Sequence, residues 1–412
     1  MKLTKTIISK ISLISFISLI SFVSLVSSCS KSDDFADDGQ NQNPAGVVIG
    51  GVSGYATSFA EENDTKASGT YNPYKALTRA WELPDEIKSD YVDYESGVQP
   101  IAIAFTQNGQ DPMMRYFFKV DDEWRINKDE NIEAESTYQL YGYIPHRQSI
   151  TYNIKDYDPE TDGANNNYST GAIMTLENVP SVMPEDLCVV IGAKHGYDKE
   201  HDGNNDGTNR LRQGDFSFKA KAGTDSKDYV FLLFDHLYAA LRVQMKVHAD
   251  YAKVRKIKLK SLKLGTQVGD ATTKQKTDIT ISLQANDGST SPITDIAYDK
   301  SGNYPVIDGG LEFWSNTTGT LLTTDFQPFI GHFMPDGITK LILTSTYDVY
   351  DTKGNLIRED CEAKNSVLLS ELFSGQTDTQ RGKRYTVNMT IQPTYLYMLS
   401  EPDLNNPEVV IN

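Results

Sequence analysis

Between Val254 and Leu264 the sequence alternates: Val254, Ile257, Leu259, Leu262 and Leu264 are apolar, while Arg255, Lys256, Lys258, Lys260 and Lys263 are cationic. No 3.6-residue apolar stripe runs through the stretch, so a helix does not fit it. A period of two with lysines on one side predicts a strand with one face buried and the other in water. The same signal recurs along the chain. Ile101, Ile103 and Phe105 alternate with smaller residues, and Met113 to Val120 follows an Asn108-Gly109 step, which is a hairpin cue. Further strands are expected at Tyr138 to Ile144, Leu187 to Ile191, Tyr229 to Phe234, Leu241 to Val247, Ile279 to Leu283, Leu321 to Phe326, Leu341 to Val349 and Tyr385 to Ile391. One short helix is expected at about Ser366 to Phe373, ended by Gly375. Many short strands with turns between them and no βαβ alternation predict an all-β chain of antiparallel β-sandwiches.

A chain of 412 residues is long enough for two domains. The polar stretch Gly223 to Lys227 precedes a fresh apolar strand, and the boundary is placed there. Residues 46–225 then form an N-terminal β-sandwich domain and 226–412 a C-terminal one. The loops expected at Asp156 to Ser169 and Asp198 to Gln213 are polar throughout.

Hydrophobic residues make up 39% of the chain, which supports folded cores, and 23 Tyr, 16 Phe and 3 Trp lean toward pleated surfaces. The formal net charge of -17 argues against a nucleic-acid partner, because phosphate contacts need a basic face. With 6 His and 3 Cys, neither a zinc cluster nor a disulfide framework is expected. No GxSxG, P-loop or dinucleotide fingerprint is present, so the chain is not expected to be an enzyme or to carry a cofactor.

The N-terminus reads as a targeting segment. Lys2, Lys5 and Lys10 precede an apolar run from Ile11 to Val26 that serines interrupt. The run is nearly long enough to span a membrane, but its serines and its Val-Ser-Ser-Cys end favour a removable signal peptide, residues 1–28. That end resembles a bacterial lipobox. The resemblance implies cleavage before Cys29 and a lipid on its thiol, holding the protein in the outer membrane. Removal of the three leader lysines takes the 39 basic residues to 36 against 56 acidic ones. Residues 29–45 form an acidic tether without enough apolar area to fold, and acidic runs after a lipidated cysteine resemble surface-export signals.

Site candidates are few. Asp202, Asn204 and Asp206, with Gly207, match the first half of a calcium loop. Arg210 and Gln213 break the second half, and an Asn/Asp/Gly turn needs no ion. The histidines at 146, 195, 201, 236, 248 and 332 form no metal-ligand spacing. His236 reads as a satisfied structural residue and Cys188 as a small buried hydrophobe. Tyr71, Tyr74, Tyr91 and Tyr94 are loop tyrosines on which a glycan could stack, with β-sheet core packing as the plainer reading.

Several stretches together resemble the fimbrillin superfamily of the Bacteroidetes, lipoprotein pilins of FimA and Mfa type. They are the lipobox and its tether, the Thr78-Arg79-Ala80-Trp81-Glu82 step, Phe231 to Val243 with Ala252 to Leu259, and Gly382 to Ile391 running into Pro393 to Leu404. The resemblance implies two tandem transthyretin-like sandwiches and a structural role in a surface fimbria, as stalk subunit or, alternatively, as anchor or tip accessory protein. It implies a trypsin-like protease that cuts after a basic residue, with Arg79 matching the pattern and Lys66 and Lys75 as neighbours. The first strand, within Gly46 to Phe59, would leave. A strand from another subunit would fill the groove by β-augmentation. The C-terminal tail would be the donor, with Tyr395, Tyr397, Leu399, Val409 and Ile411 alternating, unless Tyr395 to Leu399 is an ordinary last strand. A glycan-binding surface lipoprotein of a polysaccharide-utilisation system is the alternative from another class.

Overall fold

In a computed structural model of the chain, the structure describes residues 49–56, 60–61, 101–120, 123–125, 132–147, 149–157, 167–196, 211–220, 228–299, 302, 304–306, 309–372 and 377–391. In chain order the strands are β1 (Ile49–Ala56), β2 (Ala60–Glu61), β3 (Ile101–Thr106), β4 (Met113–Val120), β5 (Glu123–Arg125), β6 (Thr137–Ile144), β7 (Thr151–Asp156), β8 (Gly171–Pro180), β9 (Val182–Met183), β10 (Cys188–Gly196), β11 (Ser217–Lys219), β12 (Asp228–His236) and β13 (Ala239–Val247). After the short helix α1 (Ala249–Ala252) come β14 (Arg255–Val268), β15 (Ala271–Thr272), β16 (Lys276–Gln284), β17 (Ile293–Asp299), β18 (Leu311–Leu321), β19 (Gln327–Phe333), β20 (Lys340–Asp351) and β21 (Leu356–Leu368). A second short helix, α2 (Leu369–Leu372), precedes β22 (Lys383–Ile391). The chain is all-β, as its periodicity demands, and its sheets are mainly antiparallel.

The strand from Val254 shows why the pattern works. In β14 the side chains of Ile257, Leu259, Leu262 and Leu264 are buried, and Lys256, Lys258, Lys260 and Lys263 lie on the wetter face. The alternation skips one position because the ladder shifts register between Leu259 and Ser261 against both β18 and β20. A β-bulge there puts Leu262 back on the inner face. Each such side chain contributes about 1.5–3 kcal/mol by leaving water.

Four sheets carry the described residues. The largest runs β1-β12-β10-β6-β3-β4-β5, with β11 also on β6. Its end strands β1 and β5 come into contact, so this sheet curls back on itself. A second sheet, β17-β16-β8-β7, completes the first core, in which Ile103, Tyr141 and Leu232 meet Met174, Leu176 and Ile281. The second core is built from the sheet β2-β22-β13-β19-β9 and the sheet β15-β14-β20-β21, with β18 on β14. Three pairings are parallel: β1 with β12, β13 with β22, and β2 with β22.

The boundary expected at 223–227 lies outside the described residues. Strand β12 packs with the first core, and the change comes between Tyr238 and Ala239. The hairpin β16–β17, from the later half of the sequence, returns to pair with β8 and fills the first core with Ile279, Ile281 and Leu283. Two other expectations move. Leu322 to Phe326 is a turn between β18 and β19, in which the Thr323 hydroxyl accepts from Asp325 N and Gln327 Oε1 accepts from Thr323 N. Such side-chain bonds compete with a ladder. The helix at 366–373 shrinks to α2, because Ser366, Val367 and Leu368 remain paired with β20.

Close strand approach fixes some glycines. Gly142 sits opposite Ile103, and a Cβ there would lie 2.1 Å from the Ala102 carbonyl oxygen. Backbone cannot yield as a side chain can. Gly142→Ala should therefore cost about 2 kcal/mol or more in urea unfolding. Gly265→Ala, whose Cβ would meet nothing nearer than 3.5 Å, should cost less than about 1 kcal/mol.

Candidate strand-exchange edge and the junction behind it

The N-terminal segment touches both sheet systems. Within the expected leaving strand, β1 lies parallel to β12 at the edge of the large sheet, with Gly51 opposite Tyr229 and Ala56 opposite Phe234. The register shifts between Ile49 and Gly51, beside Gly50. A few residues on, β2 lies parallel to β22, placing Ala60 opposite Lys383 and Glu61 opposite Arg384. One short segment thus closes an edge of each system. A parallel ladder is slightly less stable per residue than an antiparallel one, and glycine lends a strand no packing.

What lies beneath is the opposite in character. From Val230 to His236 every side chain of β12 is buried, and its other edge is held by β10 from Cys188 to Gly196. Without β1, the outer main-chain groups of β12 would have no partner strand. Such an edge is a template for another strand. Beyond Arg384, the outer edge of β22 has no strand partner among the described residues.

At the C-terminal end of β12 the chain crosses from the first core to the second, and polar groups pin the crossing. Arg381 Nη1 donates to Asp235 Oδ2 at 2.8 Å and to the His236 carbonyl at 2.9 Å. Gly382 N donates to the Tyr238 carbonyl at 2.8 Å. Tyr298 OH donates to the Leu237 carbonyl at 2.7 Å, and Tyr238 OH donates to the Pro180 carbonyl. Burial pushes the phenols of Tyr238 and Tyr298 up, so both stay protonated donors.

Behind this crossing the β10–β12 register sets Cys188 opposite His236. His236 Nδ1 donates to Asp186 Oδ2 at 2.5 Å, and the Cys188 thiol donates to the same oxygen at 3.0 Å. Cys188 Sγ and His236 Nδ1 are 3.6 Å apart. Burial pushes the Asp186 carboxyl up, but the charge and hydrogen bond of His236 prevail. Together with His332 and the Cys188 thiol they hold it below the usual carboxylate range. His332, on β19, donates from Nδ1 to the Pro184 carbonyl at 2.9 Å. A Cys, a His and an Asp together suggest nucleophilic chemistry, but all three are at most 1% exposed, so a substrate cannot approach the thiol. The two described cysteines, Cys188 and Cys361, form no disulfide.

In the sequence Cys188 and His236 read as separate core residues, and no motif marks Asp186. A signal was available: Asp186 and the Asp235-His236 step stand at the ends of two wholly apolar runs. The remaining expectations lie outside the described residues: Cys29, the cut-site candidates Lys66, Lys75 and Arg79, the tyrosines at 71, 74, 91 and 94, the calcium-loop residues Asp202, Asn204 and Asp206, and the donor residues Tyr395, Tyr397, Leu399, Val409 and Ile411. A polar cleft on the outer face of the second core is lined by Lys263, Gly309, Gly310, Thr344, Glu362 and Lys364, and no aromatic ring lines it for a sugar to stack on.

No family model and no curated protein matches the chain. Solved structures do. A candidate cell adhesion protein from Bacteroides uniformis is 13% identical, with a TM-score of 0.31, over 73% of this chain and 89% of that one. A fimbrial protein from Bacteroides ovatus is 9% identical, with a TM-score of 0.30, over 85% of this chain and 50% of that one. The major pilin of Streptococcus pyogenes is 8% identical, with a TM-score of 0.21, over 85% of this chain and 99% of that one. These are likenesses of structure at low sequence identity.

The junction makes a direct prediction. Arg381→Ala removes a donor from buried Asp235 and from a main-chain carbonyl, and should cost about 2–3 kcal/mol in urea unfolding. Lys253→Ala breaks only an exposed pair with Asp250 and should leave the unfolding midpoint where it is.

Proposed function

We propose that this chain is a surface fimbrial subunit of the fimbrillin type, built to accept a strand from a neighbouring copy or a related subunit. The observation that carries the reading is the pairing of β1, glycine-interrupted and parallel, against the edge of the wholly buried β12. On this reading the precursor travels as a lipoprotein anchored through Cys29 in the outer membrane, with residues 29–45 as its tether. A trypsin-like protease cuts after Arg79, or after Lys66 or Lys75, and the segment carrying β1 and β2 departs. Because that segment closes edges on β12 and on β22, one cut opens both.

The physics of the exchange follows. An apolar strand with an unsatisfied edge is a costly surface, and a donor that restores the ladder recovers both hydrogen bonds and burial. In the donor tail Tyr395, Tyr397 and Leu399 recur at every second position, and Val409 and Ile411 repeat that spacing beyond Pro402 to Pro407. These rings and branched chains offer more apolar area than Gly50, Gly51 and Gly54 can, so exchange runs toward the donor. The cycle uses main-chain pairing and burial and needs no cofactor or catalytic group. The two-domain division, 46–225 and 226–412, is kept for the assembled subunit, with β12 serving the first core.

Limited trypsin treatment of the purified full chain should yield a stable product beginning at Ala80, Ala76 or Ala67, and that product should assemble into a ladder of oligomers. A synthetic peptide of residues 392–412 in excess should suppress the ladder. A product that keeps residues 49–56 and stays monomeric would overturn the stalk reading and leave the anchor role.

A further inference from the structure

Asp186, Cys188 and His236 come from a loop and two strands, and their donor atoms converge in a site without solvent. The carboxylate shows the mismatch most clearly. Its Oδ2 takes both hydrogen bonds, from His236 and Cys188, while its Oδ1, fully buried, has no hydrogen-bond partner among the described residues. A buried carboxylate oxygen left bare is costly, and such groups are normally paired or bound to a cation.

We infer that this cluster is a binding site for a zinc-like divalent ion, with Asp186, Cys188 and His236, whose donor atoms all lie within 4.8 Å of one another, as ligands. The donor types are those zinc takes: a thiolate, an imidazole nitrogen and a carboxylate oxygen.

The spacing says what must move. Tetrahedral zinc sets its ligand atoms about 3.3–3.7 Å apart. Cys188 Sγ and His236 Nδ1 already stand at 3.6 Å. The His236–Asp186 distance must open from 2.5 Å and the Cys188–Asp186 distance from 3.0 Å, since a metal replaces the protons that now join them. The balance is simple. The S–H proton of Cys188 and the Nδ1 proton of His236, which enters as the imidazolium paired with Asp186, are lost as the metal bonds form; two protons leave for solvent and His236 stays a neutral ring with its Nε2–H. One thiolate and one carboxylate then neutralise the divalent charge, so no net charge stays in the dry interior. Asp186 and Cys188 precede and begin β10 and His236 ends β12, so the ion would pin these two strands together where the chain crosses to the second core.

The test uses the purified full chain, unfolded and refolded with equimolar zinc or cobalt. Zinc should remain at about one per chain after dialysis, with release of about two protons per ion. Cobalt should give a thiolate-to-metal absorption band in the near ultraviolet. Cys361→Ser should keep the band and Cys188→Ser should lose it, with folding of each checked by circular dichroism. If Cys188→Ser does not fold, Asp186→Asn, which keeps the shape of the side chain, should weaken zinc retention by about 10-fold or more. Wild-type protein that folds yet retains no stoichiometric zinc and shows no band overturns the inference. So does a band that Cys361→Ser abolishes. This result is independent of whether trypsin releases β1.

Discussion

The burial of β12 is what the rest of the structure depends on. From Val230 to His236 it presents no side chain to solvent, and it stands between a strong antiparallel neighbour, β10, and a glycine-interrupted parallel one, β1. Burial on both faces makes the strand indispensable to the first core. Unequal partners at its two edges make one of them exchangeable. Its last two residues then carry the polar groups that fix where the chain passes into the second core, through Asp235 to Arg381 and His236 to Asp186. Packing, edge chemistry and the junction therefore meet on one strand.

Much of this was legible in the sequence. Period-two alternation located β14 and β16 because each has one wet face, and the apolar run at Tyr229 to Phe234 located β12, buried on both faces from Val230 on. What escaped had a physical cause. β21 carries Arg358, Glu359, Asp360, Glu362 and Lys364 and is exposed along most of its length, so no apolar rhythm marks it, and its strand state comes from the ladder with β20. Charges along an edge strand also guard it against unwanted pairing. The turn at 322–326 looked apolar enough to be a strand, but Thr323 and Gln327 satisfy its backbone locally.

The division between the cores was harder to read than the strands. Polarity at 223–227 ends one apolar run and does not say which core the next strand, β12, joins through its ladder with β10. The β16–β17 hairpin lies a hundred residues from its partner β8 and reaches it through Ile281 opposite Met174. Such a contact leaves no local trace. The junction was legible only in part for the same reason: Asp186 and His236 are neighbours in space because of a register, and a register is decided by the whole sheet.

The central claim is that β1 is a replaceable cover on β12. Amide hydrogen exchange on the full chain, before and after proteolytic removal of the segment through Arg79, reads that edge directly. The account predicts that β12 amides freed from β1 lose at least about a hundredfold of their protection while those of β6 keep theirs, and that a peptide of residues 392–412 restores it. Unchanged protection of β12 after loss of β1, or protection lost across both cores at once, would contradict it.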